Sequence, residues 1–197
     1  MVPATLLLLS LPFATGKTTF TSGPSGHKGG LDTTDCQLRC PKSNELNHVV
    51  LPAITHVRHK TGKWENTLEC WSVNTTTFNM PGVDNAFRLD WEKGFDAAYQ
   101  YIFYGVSFMP AHSTPEPSLA IMSAGIGDVK VPSGRCLRIG PGDIFFNVGT
   151  QGLQTAWFSQ GSVVTDLYFK NGEVPDHKIV PELKATVKHA TPNRGEL

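Results

Sequence analysis

Short runs of β-branched and aromatic residues, each closed by a turn that contains glycine or proline, constrain the fold of this chain more than any other feature. In the second half such runs cover residues 128–131, 135–139, 143–146, 155–158 and 162–169. The turns that carry Gly or Pro lie at 132–134, 140–142, 149–152 and 171–172. Many short strands at nearly even spacing are typical of a β-sandwich or a β-barrel. We therefore expect an all-β fold.

The first half of the chain continues this pattern less regularly. Residues 49–51 and 54–57, which Pro52 separates, and residues 64–73 and 86–91 are shorter β-like segments. Residues 97–109 (AAYQYIFYGVSFM) form a long run that is apolar on both faces. A strand of that kind is usual between two packed sheets. The length of 197 residues suits one domain with a sizeable core. We place this domain at 46–175, followed by a tail at 176–197 that adds a short strand or helix.

The N-terminus has the features of a targeting segment. Residues 6–13 (LLLLSLPF) are almost entirely apolar and precede the small residues Ala14, Thr15 and Gly16. This apolar core is too short to cross a bilayer but suits a secretory signal peptide that is cleaved after Gly16. We predict a signal peptide at 1–16 and a flexible Gly/Ser/Thr-rich arm at 17–45. The mature protein is then expected in the secretory pathway or outside the cell, without a membrane anchor.

Cysteine usage agrees with secretion. The four cysteines, Cys36, Cys40, Cys70 and Cys136, permit up to two disulfides in three pairings, and the sequence does not distinguish among them. The Cys-x3-Cys spacing at the first two lacks the paired pattern of zinc modules. Asn74 begins an Asn-Thr-Thr sequon, so we predict an N-glycan there on an exposed turn.

The charge balance excludes one class of partner. Seventeen Lys and Arg residues are matched by seventeen Asp and Glu residues, and the basic residues do not cluster. Binding to nucleic acid needs a basic surface that faces the phosphates. We therefore expect a small-molecule ligand and no nucleic-acid partner, while a homodimer is compatible with the sequence.

One stretch, residues 104–125 (YGVSFMPAHSTPEPSLAIMSAG), places chemically active groups beside apolar ones. In an extended chain, residues two apart share a face. His112, Thr114 and Glu116 then point the same way as Tyr104 and Phe108. A histidine and a carboxylate beside aromatic side chains indicate the wall of a pocket.

The order of these signals resembles the cupin family, with two short motifs that flank a site inside a barrel. The first cupin motif has Pro-x-His-x-His, a Glu and a strand that ends in Gly; its counterpart here is Pro110-Ala-His112-Ser-Thr114-Pro-Glu116 and the strand to Gly125. The second motif begins at 140–146 (GPGDIFF). The similarity covers roughly residues 86–170. It implies a cupin-like double-sheet β-barrel (jelly roll) with an N-terminal extension.

Two positions depart from the metal-binding cupin pattern. Thr114 replaces the second histidine of the first motif, and the histidine of the second motif falls near Leu153 or Gln154. A metal-binding cupin uses three histidines and a glutamate, whereas only His112 and Glu116 remain here. Two ligands bind a transition metal weakly. We therefore expect no cofactor; the alternative is a divalent metal on His112 and Glu116.

A histidine from outside the motifs could complete such a metal site. The three candidates are His56, His59 and His177.

The resemblance also suggests which residues act on a ligand. His112, Glu116 and Gln154 are the predicted catalytic residues, as acid–base groups or as donors to a developing oxyanion. In the alternative interpretation His112 is a structural histidine and Glu116 a solvated loop carboxylate. The predicted lining of an apolar binding cavity is Tyr104, Phe108, Thr114, Met122 and Phe158.

Small secreted chains of this layout resemble fungal proteins of natural-product pathways, some of which are metal-independent cyclases of the hetero-Diels–Alderase type. That resemblance implies a secretory-pathway cyclase or isomerase, a pericyclase of secondary-metabolite biosynthesis, which orients two reacting groups in an apolar cavity. One alternative is a metal-dependent cupin oxygenase or isomerase. The other is a non-catalytic secreted binder of a sugar or an apolar ligand, with Trp64 and Trp71 as its contact face.

Overall fold

Two long strands of partly alternating polar and apolar residues begin the sheet structure. In the computed structural model, which describes residues 38–45, 47–77, 87–89 and 91–183, β1 spans His48–Arg58 and β2 spans Trp64–Asn74. They pair antiparallel along their whole length. In such a pair one face of each strand can be buried against a second layer.

The remaining elements are shorter strands and one 3₁₀ turn. The strands are β3 (Thr76–Thr77), β4 (Phe87–Arg88), β5 (Phe95–Ile102), β6 (Ser107–His112), β7 (Ser118–Ala124), β8 (Gly127–Lys130), β9 (Cys136–Ile139), β10 (Ile144–Asn147), β11 (Gln154–Phe158), β12 (Val163–Phe169) and β13 (His177–Val180). The 3₁₀ turn is Lys170–Gly172. Within the described part of the chain, no helix has the length and apolar character needed to cross a membrane.

The strands form two main sheets that face each other. The larger sheet has the order β13-β2-β1-β10-β7-β12-β5 and the smaller has the order β6-β11-β8-β9, while β3 and β4 form a separate pair. Among the described strands, β1 and β10 are the one parallel pair, and the others pair antiparallel. The inner faces share one apolar core, and its largest side chains include Ile54, Leu68, Met122, Phe145 and Phe158. The fold is therefore all-β, a cupin-like double-sheet barrel.

A second apolar core covers the outer face of the larger sheet. Trp71, Phe146 and Phe169 contribute from this sheet, and Trp91 packs on them from the connection that precedes β5. The central strands of the larger sheet are thus buried on both faces, which explains why β7 is apolar without alternation.

Hydrogen bonds join the turns of the two motifs. Asp143 accepts a hydrogen bond from the Gly140 amide at 2.7 Å and thereby closes its own turn. The Met122 amide donates to the Asp143 carbonyl at 2.9 Å, and the Gly142 amide donates to the Met122 carbonyl at 2.8 Å. At the end of β7, Gly125 has φ +76°, and a Cβ there would lie 2.3 Å from the Ser162 hydroxyl, so only glycine fits.

The run 97–109 is not one buried strand, so this expectation is wrong. The chain turns at 103–106 and crosses from β5, an edge of the larger sheet, to β6, an edge of the smaller sheet. An edge strand has a neighbour on one side only. Tyr104 is consequently 86 % exposed and Phe108 65 % exposed.

Covalent bonds hold the start of the described chain to the barrel. Cys40 forms a disulfide with Cys70 on β2. Cys136 is also disulfide-bonded, whereas Cys36 lies outside the described residues. The predicted signal peptide (1–16), most of the predicted arm (17–37) and the end of the predicted tail (184–197) lie outside them too.

Past residue 175, where we placed the end of the domain, β13 adds an edge strand to β2. Its His177 pairs with Val73, and its Val180 pairs with Cys70.

Candidate functional site

A chain of amide side chains crosses the inside of the barrel. The Asn66 Nδ2 on β2 donates to the Gln154 Oε1 on β11 at 3.2 Å, and the Gln154 Nε2 donates to the Asn147 Oδ1 on β10 at 3.4 Å. Asn66 is only 2 % exposed and Gln154 only 4 % exposed. Because buried amides need partners, this chain connects the two sheets at a defined register.

The loop between β10 and β11 (148–153) holds the amide chain in place. A Cβ on Gly149 would lie 2.5 Å from the Asn66 Nδ2, and one on Gly152 would lie 2.2 Å from the Asn66 backbone nitrogen. The Val148 carbonyl also lies 3.2 Å from the His56 Nδ1. The glycines therefore let this loop close directly over Asn66.

The polar surface continues from Asn147 onto the neighbouring strands. Ser118 on β7 pairs with Asn147 on one side and with Tyr168 on β12 on the other. Directly paired residues share a face of the sheet, so these three side chains form a row inside the barrel. Ser118 is buried, and no described residue forms a hydrogen bond with its hydroxyl. A buried hydroxyl without a partner is available to a ligand.

Two tyrosine hydroxyls meet at the far end of this row. The Tyr101 oxygen on β5 lies 3.4 Å from the Tyr168 oxygen. The Tyr99 ring packs edge-on against Tyr168, with 5.6 Å between the ring centroids. Burial raises the pKa of Tyr168 well above its usual range, and the hydrogen bond with Tyr101 and the negative charges of Asp166 and Glu116 raise it further. Tyr168 therefore stays protonated, and either hydroxyl of the pair can donate to the other.

Asp166 lies beside these hydroxyls without a cationic partner. It pairs with Ala120 on β7 and with Tyr99 on β5, and it follows the core residue Val164 by two positions, so its side chain faces the barrel interior. Among the described residues, none forms an ion pair with Asp166. Burial raises the pKa of Asp166 to about 6. A carboxyl of this kind can take up or release a proton near neutral pH.

We call Asn66, Asn147, Gln154, Ser118, Tyr101, Asp166 and Tyr168 the inner polar row. It combines amides, an unpartnered hydroxyl, a pair of phenols and a carboxyl on the walls of one barrel. Apolar neighbours such as Ala120, Met122 and Val164 pack beside it. Such a surface suits a largely apolar ligand that carries one or two oxygen atoms.

The predicted catalytic residues lie at one end of this row. His112 on β6 pairs directly with Gln154, and its Nδ1 lies 2.7 Å from the Pro110 carbonyl. Glu116 is exposed in the connection between β6 and β7, and its charge reaches Tyr168. The structure thus brings His112 beside Gln154, whereas Glu116 lies nearer to the tyrosines.

The predicted lining residues occupy different environments. Met122 and Phe158 are buried in the apolar core of the barrel, and Thr114 is 5 % exposed. Tyr104 and Phe108 lie on the surface. A register shift in the pairing of β6 with β11 places Phe108 opposite Trp157 and therefore on the other face from His112.

The donor atoms at the cupin metal positions do not fit a resident transition metal. Thr114 and Gln154 offer neutral oxygens there, and His112 offers the one imidazole. Within the described ranges, no group of three or more His, Cys, Asp or Glu side chains lies close enough to hold a metal ion. Neutral hydroxyl and amide oxygens are weak ligands for the metals that imidazole selects.

The additional histidines make other contacts. His56 packs edge-on against Trp64, His59 lies 3.1 Å from a Glu65 oxygen, and His177 stacks on Trp71 with 3.5 Å between ring centroids.

The sequence pattern did not indicate Asp166, Tyr101 or Tyr168 as site residues. In the run 162–169, Asp166 alternates with apolar residues, which suggests a solvated strand face. Val164 and Tyr168 could have indicated its interior position, because they share a strand face with Asp166. A face that carries both residues is suited to the interior.

Comparisons with known proteins give a weak structural similarity. No family model matches the chain, and no curated protein matches it. Among solved structures, the cupin domain of Cnp3 from Schizosaccharomyces pombe is similar, with a TM-score of 0.29 and 12 % sequence identity. The match covers 63 % of this chain and 86 % of that chain. At this score it supports no statement about ligand or activity.

Proposed function

We propose that this protein is a metal-independent cyclase or isomerase that acts on a small, largely apolar metabolite between the two sheets, in the secretory pathway. One observation carries the proposal: Asp166, with its raised pKa of about 6, lies inside the barrel beside the hydroxyls of Tyr101 and Tyr168. A carboxyl that titrates near neutral pH and lies next to phenolic donors is more typical of a reacting site than of a structural core.

The phenols supply hydrogen bonds to an oxygen atom of the substrate. One hydroxyl of the Tyr101–Tyr168 pair donates to the other, which leaves one proton for the ligand. A donor that is fixed before the reaction stabilises negative charge that develops on that oxygen. The unpartnered Ser118 hydroxyl, which pairs with Tyr168 across the sheet, offers a further contact.

Asp166 supplies the proton transfer. As a carboxylate it accepts a proton from one position of the substrate, and as a carboxylic acid it returns that proton to another. A bond to hydrogen breaks, another forms, and no electrons leave the substrate. His112, paired with Gln154 on the smaller sheet, provides a second hydrogen-bonding group at the other end of the row.

In finer detail, we propose a pericyclase of the hetero-Diels–Alderase type that acts in fungal secondary-metabolite biosynthesis. Such a cycloaddition forms two bonds and loses no atom, so it depends on the orientation of the two reacting groups. Apolar walls such as Met122 and Val164 favour a folded substrate, and a hydrogen bond to the heterodiene oxygen activates it.

Gene deletion tests the proposal without a known substrate. In the producing organism, loss of the gene should remove a cyclised or isomerised metabolite and leave its open or unrearranged isomer of the same mass. Wild-type protein should restore the product, whereas Asp166→Asn should not. Glu45→Gln, which changes an exposed carboxylate before β1, is the matched control and should restore it fully.

The alternatives give distinct results in the same test. A metal-dependent oxygenase would leave an intermediate that differs in mass by oxygen, and its activity would stop on chelation. A non-catalytic binder would leave the covalent structures of all metabolites unchanged. Full restoration by Asp166→Asn at wild-type protein levels would overturn the proposal.

A further inference from the structure

A groove of about 320 Å³ lies on the opposite side of the larger sheet from the inner polar row. Its walls come from the end of β2, the connection that precedes β5 and the segment that follows the 3₁₀ turn. The residues that matter here are Asn74, Thr75, Trp91, Glu92 and Asp176. This groove is independent of the proposed cyclase site.

One residue that lines this groove carries a buried hydroxyl without a partner among the described residues. Thr75 is 6 % exposed, and its Oγ1 makes no hydrogen bond within that part of the chain. The Thr75 amide is used separately, since it donates to the Asn47 carbonyl at 2.6 Å. Burying a hydroxyl without a partner has a free-energy cost, which a ligand atom in the groove would remove.

The rest of the lining has the chemistry of a saccharide site. Trp91 gives an aromatic surface that Phe169 supports, with 5.8 Å between their ring centroids. Glu92 and Asp176 are exposed carboxylates that accept hydrogen bonds from hydroxyl groups. An aromatic plane that faces sugar C–H groups, with carboxylates for the hydroxyls, suits a neutral sugar. The lining carries three carboxylates, Glu92, Glu173 and Asp176, and one cation, Lys93, which is paired with Glu173; the excess of negative charge disfavours anionic ligands.

The sequon itself forms part of the groove wall. Asn74 is exposed at the end of β2, and Thr75 and Thr76 continue the lining. We infer that the groove seats the first N-acetylglucosamine of a glycan attached to Asn74. A sugar linked at the wall binds intramolecularly, so its effective concentration is in the range of millimolar or above and weak contacts suffice. The inference rests on the predicted secretion and does not depend on the cyclase proposal.

The experiment compares glycoforms of the secreted, full-length protein. Trimming with an endoglycosidase that leaves a single N-acetylglucosamine on Asn74 should keep the Tm of the untreated protein. Asn74→Gln, which carries no glycan, should have a Tm about 2–4 °C below that of the untreated protein. The reason is that the sugar contacts the groove in the folded state alone. Thr76→Ala should behave like Asn74→Gln because it destroys the sequon, whereas Thr76→Ser keeps the sequon and should match the wild type.

A second variant separates a seated sugar from a merely attached one. Asp176→Asn keeps the sequon but removes one carboxylate of the groove. After trimming, the Tm of Asp176→Asn should therefore be no higher than that of Asn74→Gln. Equal Tm values for the trimmed protein and Asn74→Gln would overturn the inference, as would a wild-type protein without a glycan. If free N-acetylglucosamine instead binds Asn74→Gln and the attached sugar adds no stability, the groove takes a soluble sugar and the inference is wrong.

Discussion

The hydroxyl oxygens of Tyr101 and Tyr168 lie 3.4 Å apart, although the two residues are 67 positions apart in sequence. The antiparallel pairing of β5 with β12 puts the two tyrosine side chains on one face of the sheet. Asp166, which is part of β12, shares that face. One hydroxyl of the pair donates to the other, so the remaining O–H can donate to an oxygen atom of a ligand.

Removing one phenolic hydroxyl should impair the reaction more than the fold. We expect Tyr101→Phe to lower kcat by about ten- to a hundredfold, because a donor to the developing charge is lost. Tyr101 is partly exposed, so its Tm should change little. Steady-state kinetics and thermal melting measure the two effects.

Tyr99→Phe is the control for that loss, since it removes an exposed hydroxyl and keeps the ring that packs on Tyr168. An equal loss of kcat in both variants would argue against a specific role for Tyr101.

Asp166→Asn should stabilise the protein above pH 6. The folded pKa of about 6 lies above the unfolded value of about 3.9, so the native state binds more protons within this window. The free energy of unfolding of the wild type therefore falls as pH rises from about 4 to 6 and stays low above it. The free energy of unfolding of Asp166→Asn should not decline in this range. At pH 7.5 it should exceed that of the wild type by about 2–3 kcal/mol.

Denaturant unfolding at pH 4 and at pH 7.5 checks the effect. The two proteins should differ only slightly at pH 4, where Asp166 is protonated in the folded state. A variant that is more stable yet inactive would identify Asp166 as a group retained for function. No gain in stability at pH 7.5 would show that the carboxyl is not buried as described.

The reaction is expected to survive a metal chelator. His112, Thr114 and Gln154 make a poor ligand set, whereas His112 remains suited to hydrogen bonding beside Gln154. Activity of the purified protein after EDTA treatment and dialysis should equal that before treatment, while His112→Gln should reduce it. Complete loss on chelation that Zn²⁺ or Fe²⁺ restores would establish the metal-dependent alternative.

Gly152→Ala should be among the most destabilising single-methyl substitutions in the barrel. Its Cβ would lie 2.2 Å from the Asn66 nitrogen and 2.6 Å from the Glu65 carbonyl carbon, both backbone atoms that cannot rotate away. We expect the free energy of unfolding, measured with denaturant, to fall by about 1–3 kcal/mol or more. Gly105→Ala meets nothing within 4 Å and should be nearly neutral.

The sequence predicted features that depend on local chemistry. The turn at 140–143 forms because Asp143 caps the Gly140 amide, and β7 ends at Gly125 because that residue adopts a positive φ. Both requirements concern residues close together in the chain. The all-β class followed from such turns and from the strand pattern between them, whereas the cupin-like barrel was implied by the resemblance of the two motifs.

The parts that the sequence did not predict depend on which strands become neighbours. Phe108 was expected beside His112, but the register shift against β11 turns it outward. Asp166 was missed because its environment comes from β5 and β7, which lie far away in sequence. Whether an alternating strand faces water or a barrel interior is decided by its partners rather than by its own pattern.

The addition of β13 to β2 also bears on solubility. Without β13, β2 would present Cys70–Val73 as an uncovered hydrogen-bonding edge, with Trp71 deprived of the His177 ring that stacks on it. Open edges of long apolar strands recruit strands from other molecules. The short strand β13 therefore prevents β2 from pairing with strands of other molecules. Shortened forms that end before His177 would aggregate although the barrel interior is unchanged.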